Sequence, residues 1–171
     1  SAASDVYKRQ DCMVAMAKFY LDFTVEESCG KCAPCRIGNK RLHEMLQKIT
    51  SGNGTIEDLE RLRNLAGVIK DTALCGLGQT SPNPVLSTMD NFYDEYLAHV
   101  KEKRCPSHQC RELTQYFINP EKCKGCTLCA RMCPVNAITG DKKVPHVIDP
   151  QTCIRCGSCI ERCKFGAIYV H

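Results

Sequence analysis

The chain has 171 residues, 15 of them cysteine and none tryptophan, with 23 Lys and Arg against 19 Asp and Glu for a formal net charge of +4. That length suits one medium domain or two small ones, and the mild positive charge is scattered among acids without the basic stripe and interleaved aromatics of a nucleic-acid face. No apolar run approaches the roughly 20 residues of a membrane span, and residues 1–10 lack the apolar core of a secretory signal.

Cysteine at this density means either disulfide staples or metal. Eleven of the fifteen lie in or beside C-x-x-C runs, whereas disulfide frameworks spread their cysteines along the chain. The expected setting is a reducing cytoplasm in which the thiolates stay free for metal. Bound metal then replaces part of the apolar core that a small domain needs.

Residues 1–10 fit no pattern and are read as a non-native or disordered leader. From Met13 to Phe23, Met13, Val14, Met16, Ala17, Tyr20 and Leu21 recur at helical spacing. A Gly- and Pro-marked loop follows, Glu27-Ser-Cys-Gly-Lys-Cys-Ala-Pro-Cys35, and then a helix over Ile37–Ile49 that Ser51–Gly54 stops. Thr55 N-caps the next helix, which runs to about Lys70, with Asp58 at the capping-box position. A second cysteine loop, Leu74-Cys-Gly-Leu-Gly78, precedes a fourth helix from Ser81-Pro-Asn-Pro84 to about Lys103. Residues 11–104 are therefore expected to form a small helical bundle with metal-binding loops at one end. Residues 105–115 read as a connector, and Met13, Met16 and Met45 as packing residues.

From Tyr116 the pattern changes to short strands, turns and cysteine runs. Asn119–Ile138 matches Asp149–Ile168 at an offset of 30 residues, each half carrying C-x-x-C-x-x-C-x-x-x-C. This is the sequence signal of a bacterial ferredoxin with two clusters, in which the fourth cysteine of each run ligates the other cluster. One 4Fe–4S site takes Cys123, Cys126, Cys129 and Cys163; the other takes Cys153, Cys156, Cys159 and Cys133. Zinc suits this pattern poorly, because zinc tetrads are closed sets of paired cysteines. Lys164 stands where the first half has Pro134, a local change that leaves the ligand count intact. Lys122, Lys124, Arg155, Arg162 and Lys164 flank the clusters and are expected to raise their potentials. The fold class is α+β: a helical bundle with a loop-held 4Fe–4S site, followed over residues 116–171 by a βαββαβ-like two-cluster module.

The segment Glu27-Ser-Cys-Gly-Lys-Cys-Ala-Pro-Cys-Arg-Ile-Gly38, with Leu74-Cys-Gly-Leu-Gly78 beyond it, is similar to the cluster-binding domain of the NADH- and flavin-binding subunit of respiratory complex I. With the two-cluster module behind it, the chain resembles, over about residues 11–171, the beta subunits of multimeric NAD(P)-linked iron hydrogenases, the electron-bifurcating ones included, and related formate dehydrogenase subunits. The resemblance implies that Cys29, Cys32, Cys35 and Cys75 ligate a third 4Fe–4S cluster. Three close thiolates plus one remote one also make an iron–sulfur tetrad on spacing alone, with zinc as the alternative. In that family the cluster takes electrons from a flavin mononucleotide reduced by NADH, bound in a domain N-terminal to this segment. The implied partners are a thioredoxin-like 2Fe–2S subunit and a hydrogenase or formate dehydrogenase catalytic subunit.

Cys12, Cys105 and Cys110 remain, with His99 at the end of the fourth helix. Three cysteines and a histidine make a closed zinc set. The competing readings are reduced thiols with a solvated His99, a Cys105–Cys110 disulfide, or His108 in place of His99. His43, His146 and His171 stand apart and are read as surface residues. The expectation is an electron-relay segment of a longer subunit with no complete catalytic site. A free-standing multi-cluster ferredoxin and a zinc-dependent assembly module are the alternatives.

Overall fold

The computed structural model describes residues 11–170; the expected leader and His171 lie outside them. Of these, residues 11–113 form one compact unit and residues 114–170 a second.

In the first unit, helix α1 spans Met13–Glu26, capped by the Cys12 thiol, which accepts from the Ala15 N–H at 3.4 Å. Its buried face is Val14, Ala17 and Leu21. Met13 and Met16 sit at the margin, and Tyr20 is half exposed beside Phe19 and Phe23. A single π-helical turn, Pro34–Gly38, leads into α2, Asn39–Thr50, which buries Leu42, Leu46 and Ile49. Helix α3, Ile56–Thr72, opens on a full capping box: the Thr55 hydroxyl accepts from the Asp58 N–H, and the Asp58 carboxylate accepts from the Thr55 N–H at 2.8 Å. Lys48 closes on the same carboxylate at 2.6 Å. Its buried side chains Leu59, Leu62, Ala66 and Ile69 meet those of α1 and α2 in one core.

A short helix α4, Gly76–Thr80, follows the second cysteine loop. The fourth helix of the sequence reading is not continuous. It is α5, Asn83–Asn91, then a break at Phe92 (φ −134°, ψ 36°), then α6, Tyr93–Leu97, and a second π-helical turn, Ala98–Glu102. The break lets Tyr96 go fully inside, with its hydroxyl 2.8 Å from that of Thr88. Residues 105–113, read as connector, pack onto this unit: Cys105, Cys110 and Leu113 belong to its core.

The second unit runs β1 (Tyr116–Ile118), α7 (Leu128–Met132), β2 (Ile138–Thr139), β3 (Val147–Ile148), α8 (Ser158–Arg162) and β4 (Ile168–Val170). β1 pairs antiparallel with β4, Phe117 opposite Tyr169; β2 pairs antiparallel with β3, Ile138 opposite Ile148. Its buried apolar cluster is Ile138, Ile148 and Ile168 with Cys129.

Asp58 titrates below its ordinary value of 3.8: burial works against ionisation, and Lys48 and the Thr55 N–H outweigh it. A carboxylate lowered in the folded state stabilises fully above its ordinary value and loses that contribution as pH falls through the folded value. Asp58→Asn is expected to cost about 1–2 kcal/mol at neutral pH and to flatten the acid limb of stability below about pH 4, read by denaturant midpoints across pH.

Candidate metal centres

The second unit gathers its eight cysteines into two cavities. One, with about 340 Å³ of empty volume open to solvent, is lined by Cys123, Cys126, Cys129 and Cys163. The other, about 330 Å³, is lined by Cys153, Cys156, Cys159 and Cys133. Each therefore takes three cysteines from one half of the repeat and the fourth from the other half.

The backbone around them repeats with the sequence. Gly125 and Arg155 both sit at positive φ (64° and 56°), as do Thr127 and Gly157 (62° and 80°) and Asn136 and Gly166 (53° and 56°). Left-handed residues set among right-handed ones turn successive N–H groups to one side, a concavity suited to anions and to iron–sulfur clusters. At Gly125 nothing else fits, since a Cβ would lie 2.5 Å from the Val144 nitrogen. Ala137 and Ala167 donate their N–H groups to Cys133 and Cys163 at 3.3 Å, and Arg155 donates to Cys153 at 3.4 Å. Burial raises the Cys129 thiol; burial, with the neighbouring Cys153 and Cys156, pushes Cys159 up to about 11. Thiols held up in this way ionise at neutral pH only against a cation.

In the first unit, Cys35 lies on the π-helical turn and is buried, Cys32 is half-buried, and Cys29 and Cys75 are exposed. The two cysteine loops meet: the N–H groups of Leu74 and Cys35 hold the Cys32 thiol below its ordinary value. A Cβ on Gly78 would lie 3.2 Å from that of Cys35 and 2.7 Å from that of Ala73. A buried polar chain backs the site, and the sequence reading did not find it. Asn39 is fully buried, its amide nitrogen 3.5 Å from the Cys35 sulfur and its Oδ1 accepting from the Ser81 hydroxyl at 2.8 Å. The Ser28 hydroxyl is 3.3 Å from the same sulfur. Asn39 stands four residues after Cys35, the one signal that a helical side chain would reach back to it.

The four remaining residues come together. Cys12, His99, Cys105 and Cys110 are all buried, with their ligand atoms within 4.8 Å of one another. The Cys12 sulfur is 3.3 Å from His99 Nε2 and 3.7 Å from the Cys110 sulfur, and Nε2 is 3.4 Å from the Cys110 sulfur. Ligands at tetrahedral zinc, with Zn–S ≈ 2.3 Å and Zn–N ≈ 2.0 Å, stand about 3.5–3.8 Å apart. The solvated-histidine reading does not hold: His99 is 0% exposed, whereas His108 is exposed. His99 lies on the second π-helical turn, and its Nδ1 donates to the Glu95 carbonyl at 2.7 Å, which turns Nε2 toward the sulfurs. Burial opposes the charged imidazole, but Cys105 and Cys12 outweigh it and raise His99 to about 10. Cys105 and Cys110 compete for one proton, so one titrates low and the other high. Such a set is relieved by a cation.

Of the histidines expected on the surface, His43 is half-buried, 2.7 Å from the Asp22 carboxylate. His146 is 2% exposed and lines the Cys123 cavity, because the β2–β3 pairing carries it inward.

Residues 15–99 match the family described as the NADH-ubiquinone oxidoreductase-F iron-sulfur binding region, and residues 122–167 match the 4Fe-4S dicluster domain. The chain is an iron–sulfur protein, and these two families are the ones to which its two units belong. It is the iron–sulfur region of a homologue of NAD(P)-linked hydrogenase and complex I-type subunits. It is 64% identical over 163 residues to the NADP-reducing hydrogenase subunit HndC of Solidesulfovibrio fructosivorans, an alignment covering 95% of this chain and 33% of that protein. To an NADH-quinone oxidoreductase subunit of Mycobacterium tuberculosis it is 36% identical over 104 residues, 61% of this chain and 23% of that one. A crystal structure of an NAD+-reducing [NiFe]-hydrogenase in the H2-reduced state superposes with a TM-score of 0.51 at 32% identity, covering 53% of this chain and 16% of that chain. The chain thus spans a third or less of the length of these relatives. No described helix is long and apolar enough to cross a membrane.

Asn39→Ala strips a buried partner from Ser81 and from Cys35. The expected cost is about 1–3 kcal/mol, read as a lower denaturant midpoint.

Proposed function

We propose that this chain relays single electrons within an NAD(P)-linked redox complex, through three 4Fe–4S clusters held by twelve of its cysteines, and that its fourth metal site is a structural zinc. The observation that carries the reading is the sorting of the eight C-terminal cysteines into two cavities, each three-plus-one across the repeat. A 4Fe–4S cluster supplies one-electron chemistry, with a potential set by its hydrogen bonds, nearby charge and exposure.

The chain's own residues do the rest. Cys123, Cys126, Cys129 and Cys163 hold one cluster, Cys153, Cys156, Cys159 and Cys133 the second, and Cys29, Cys32, Cys35 and Cys75 the third. Backbone N–H groups at Arg155, Ala137 and Ala167 donate to the thiolates and lower the cost of their charge. Asn39 and Ser28 do the same for Cys35. The crossed sets tie the halves of a βαββαβ ferredoxin fold together and keep its clusters close. Lys124 and Arg162 line the first cavity and favour its reduced, more negative state.

At one end the electrons exchange with a nicotinamide site elsewhere in the longer subunit, in line with the NADP and NADH in the names of the relatives, and with the flavin that the family resemblance implies. At the other end they exchange with partner subunits, a hydrogenase or formate dehydrogenase among them. Zinc at Cys12, His99, Cys105 and Cys110 joins the start of the bundle to the segment after its last helix. Its donors are thiolates and imidazole in a closed, dry set of the kind that structural zinc takes.

Metal and acid-labile sulfide analysis of anaerobically purified protein tests this. About twelve iron and twelve sulfide per chain are expected, with about one zinc. About eight iron would remove the Cys29–Cys75 cluster, and a colourless, zinc-only protein would sink the relay altogether. His99→Ala is expected to lose the zinc, keep the iron, and lower the thermal midpoint of the first unit by on the order of 10 °C.

A further inference from the structure

We infer that Asn39, held in one orientation by Ser81, donates a hydrogen bond from Nδ2 to the ligand sulfur of Cys35 and so raises the potential of the Cys29–Cys75 cluster. The inference rests on the reading of that site as a 4Fe–4S cluster.

Cys35 is the one cysteine of the four that water hardly reaches. It is 4% exposed, whereas Cys32 is half-buried and Cys29 and Cys75 are exposed. A thiolate at the surface takes hydrogen bonds from solvent; a buried one must take them from the protein. Two side chains supply them here. The Asn39 amide nitrogen is 3.5 Å from the Cys35 sulfur, and Ser28 Oγ is 3.3 Å from it. Ser28 Oγ accepts from the Gly30 N–H at 3.4 Å, which leaves its own hydrogen for the sulfur.

The hydrogens around Asn39 follow from what each group can do. An iron-bound thiolate only accepts, so the amide faces it with its NH2 group and turns Oδ1 the other way. Ser81 Oγ stands on that side, 2.8 Å from Oδ1 and 2.9 Å from the Gly78 carbonyl oxygen. Given to Oδ1, the single hydroxyl hydrogen completes a chain from Ser81 through Asn39 to Cys35 with one donor and one acceptor at each step. The opposite amide orientation would set Oδ1 against the thiolate, two acceptors with no hydrogen between them.

The backbone brings these groups together. Asn39 stands four residues after Cys35, and its N–H donates to the Cys35 carbonyl across the π-helical turn. Helical side chains lean back over the preceding turn, which carries the amide to the sulfur. Ser81 comes from 42 positions further along the chain, because α4 lies against Cys35. That approach needs glycine at 78, where a Cβ would lie 3.2 Å from the Cys35 Cβ and 2.7 Å from that of Ala73. Asn39 is 0% exposed and Ser81 3%. Packing alone calls for apolar side chains at such positions; the amide answers the sulfur it faces.

Reduction adds one electron to the cluster, and part of its charge falls on the thiolates. An N–H donor to a ligand sulfur therefore stabilises the reduced state more than the oxidised one and raises the potential. The carboxamide keeps its hydrogens throughout, so the step moves one electron and no proton.

The test is an EPR-monitored redox titration of the full chain with dithionite, with iron and sulfide measured on each sample. The signal that Cys75→Ala removes marks the cluster concerned. Asn39→Leu nearly keeps the volume, removes the donor, and leaves Ser81 the Gly78 carbonyl to bond. Ser81→Ala leaves Asn39 in place and frees its amide to turn. Asn39→Leu is expected to shift that cluster's equilibrium about tenfold toward the oxidised state, about 59 mV lower for one electron. Ser81→Ala should shift it the same way by less, and the other two clusters should stay at their parent potentials. Unchanged potentials in both variants with iron at the parent level, or equal shifts of all three clusters, would make Asn39 a packing residue and overturn the inference. Where Asn39→Leu does not hold its iron, Ser81→Ala decides alone: a fall confined to the marked cluster supports the inference, and no change overturns it. A chain in which Cys75→Ala alters neither iron content nor spectrum would overturn the third-cluster reading itself, a failure distinct from that of the inference.

Discussion

Gathering thiolates is the constraint on which the second unit depends. Its buried apolar cluster is three isoleucines and a cysteine, far too little to fold a segment of this length without a staple. The segment has eight cysteines and no disulfide among them. In the proposed reading two metal clusters take the place of the core, and the crossing of Cys133 and Cys163 between cavities makes each half incomplete alone. The strands are short, two or three residues each, because they need only bring the loops together.

The first unit is built the other way round. It has a full apolar core between α1, α2, α3 and α5, and its candidate metal sites sit where regular helix gives out. Cys35 lies on one π-helical turn and His99 on the other. A π turn widens the helix and re-aims a side chain, and such turns recur at functional sites. At each, a polar group fixes the ligand: Asn39 behind Cys35, the Glu95 carbonyl behind His99. The cost of the irregular backbone is carried by the apolar packing around it.

What could be read in the sequence follows from the range of each interaction. The C-x-x-C loops and the 30-residue repeat were legible because their geometry is local and written twice. The capping box at Thr55 and Asp58 was legible for the same reason. Cys12, His99, Cys105 and Cys110 were named as a set, but spacing alone left it open, since residues 98 positions apart meet only once the bundle has closed. The helix expected to continue through Lys103 breaks at Phe92, where the sequence has no glycine or proline, and Tyr96 just beyond the break is fully buried. Among the apolar residues at helical spacing on α1, packing buries Val14, Ala17 and Leu21 and leaves Tyr20 half exposed.

His146 shows the same limit most sharply. A lone histidine among Lys, Val and Pro carries no motif, and its neighbours Val144 and Val147 are exposed. Its burial follows from register: once Ile138 stands opposite Ile148, residue 146 must face residue 140, and a glycine there leaves the pocket that the ring fills. The repeat held the missing clue. Comparing the two halves position by position, rather than cysteine by cysteine, puts His146 against Tyr116 and marks the place where a duplicated module has been given two different environments. In the proposed reading the ligands are identical in both halves, and such differences beside them are what remains to distinguish the two sites.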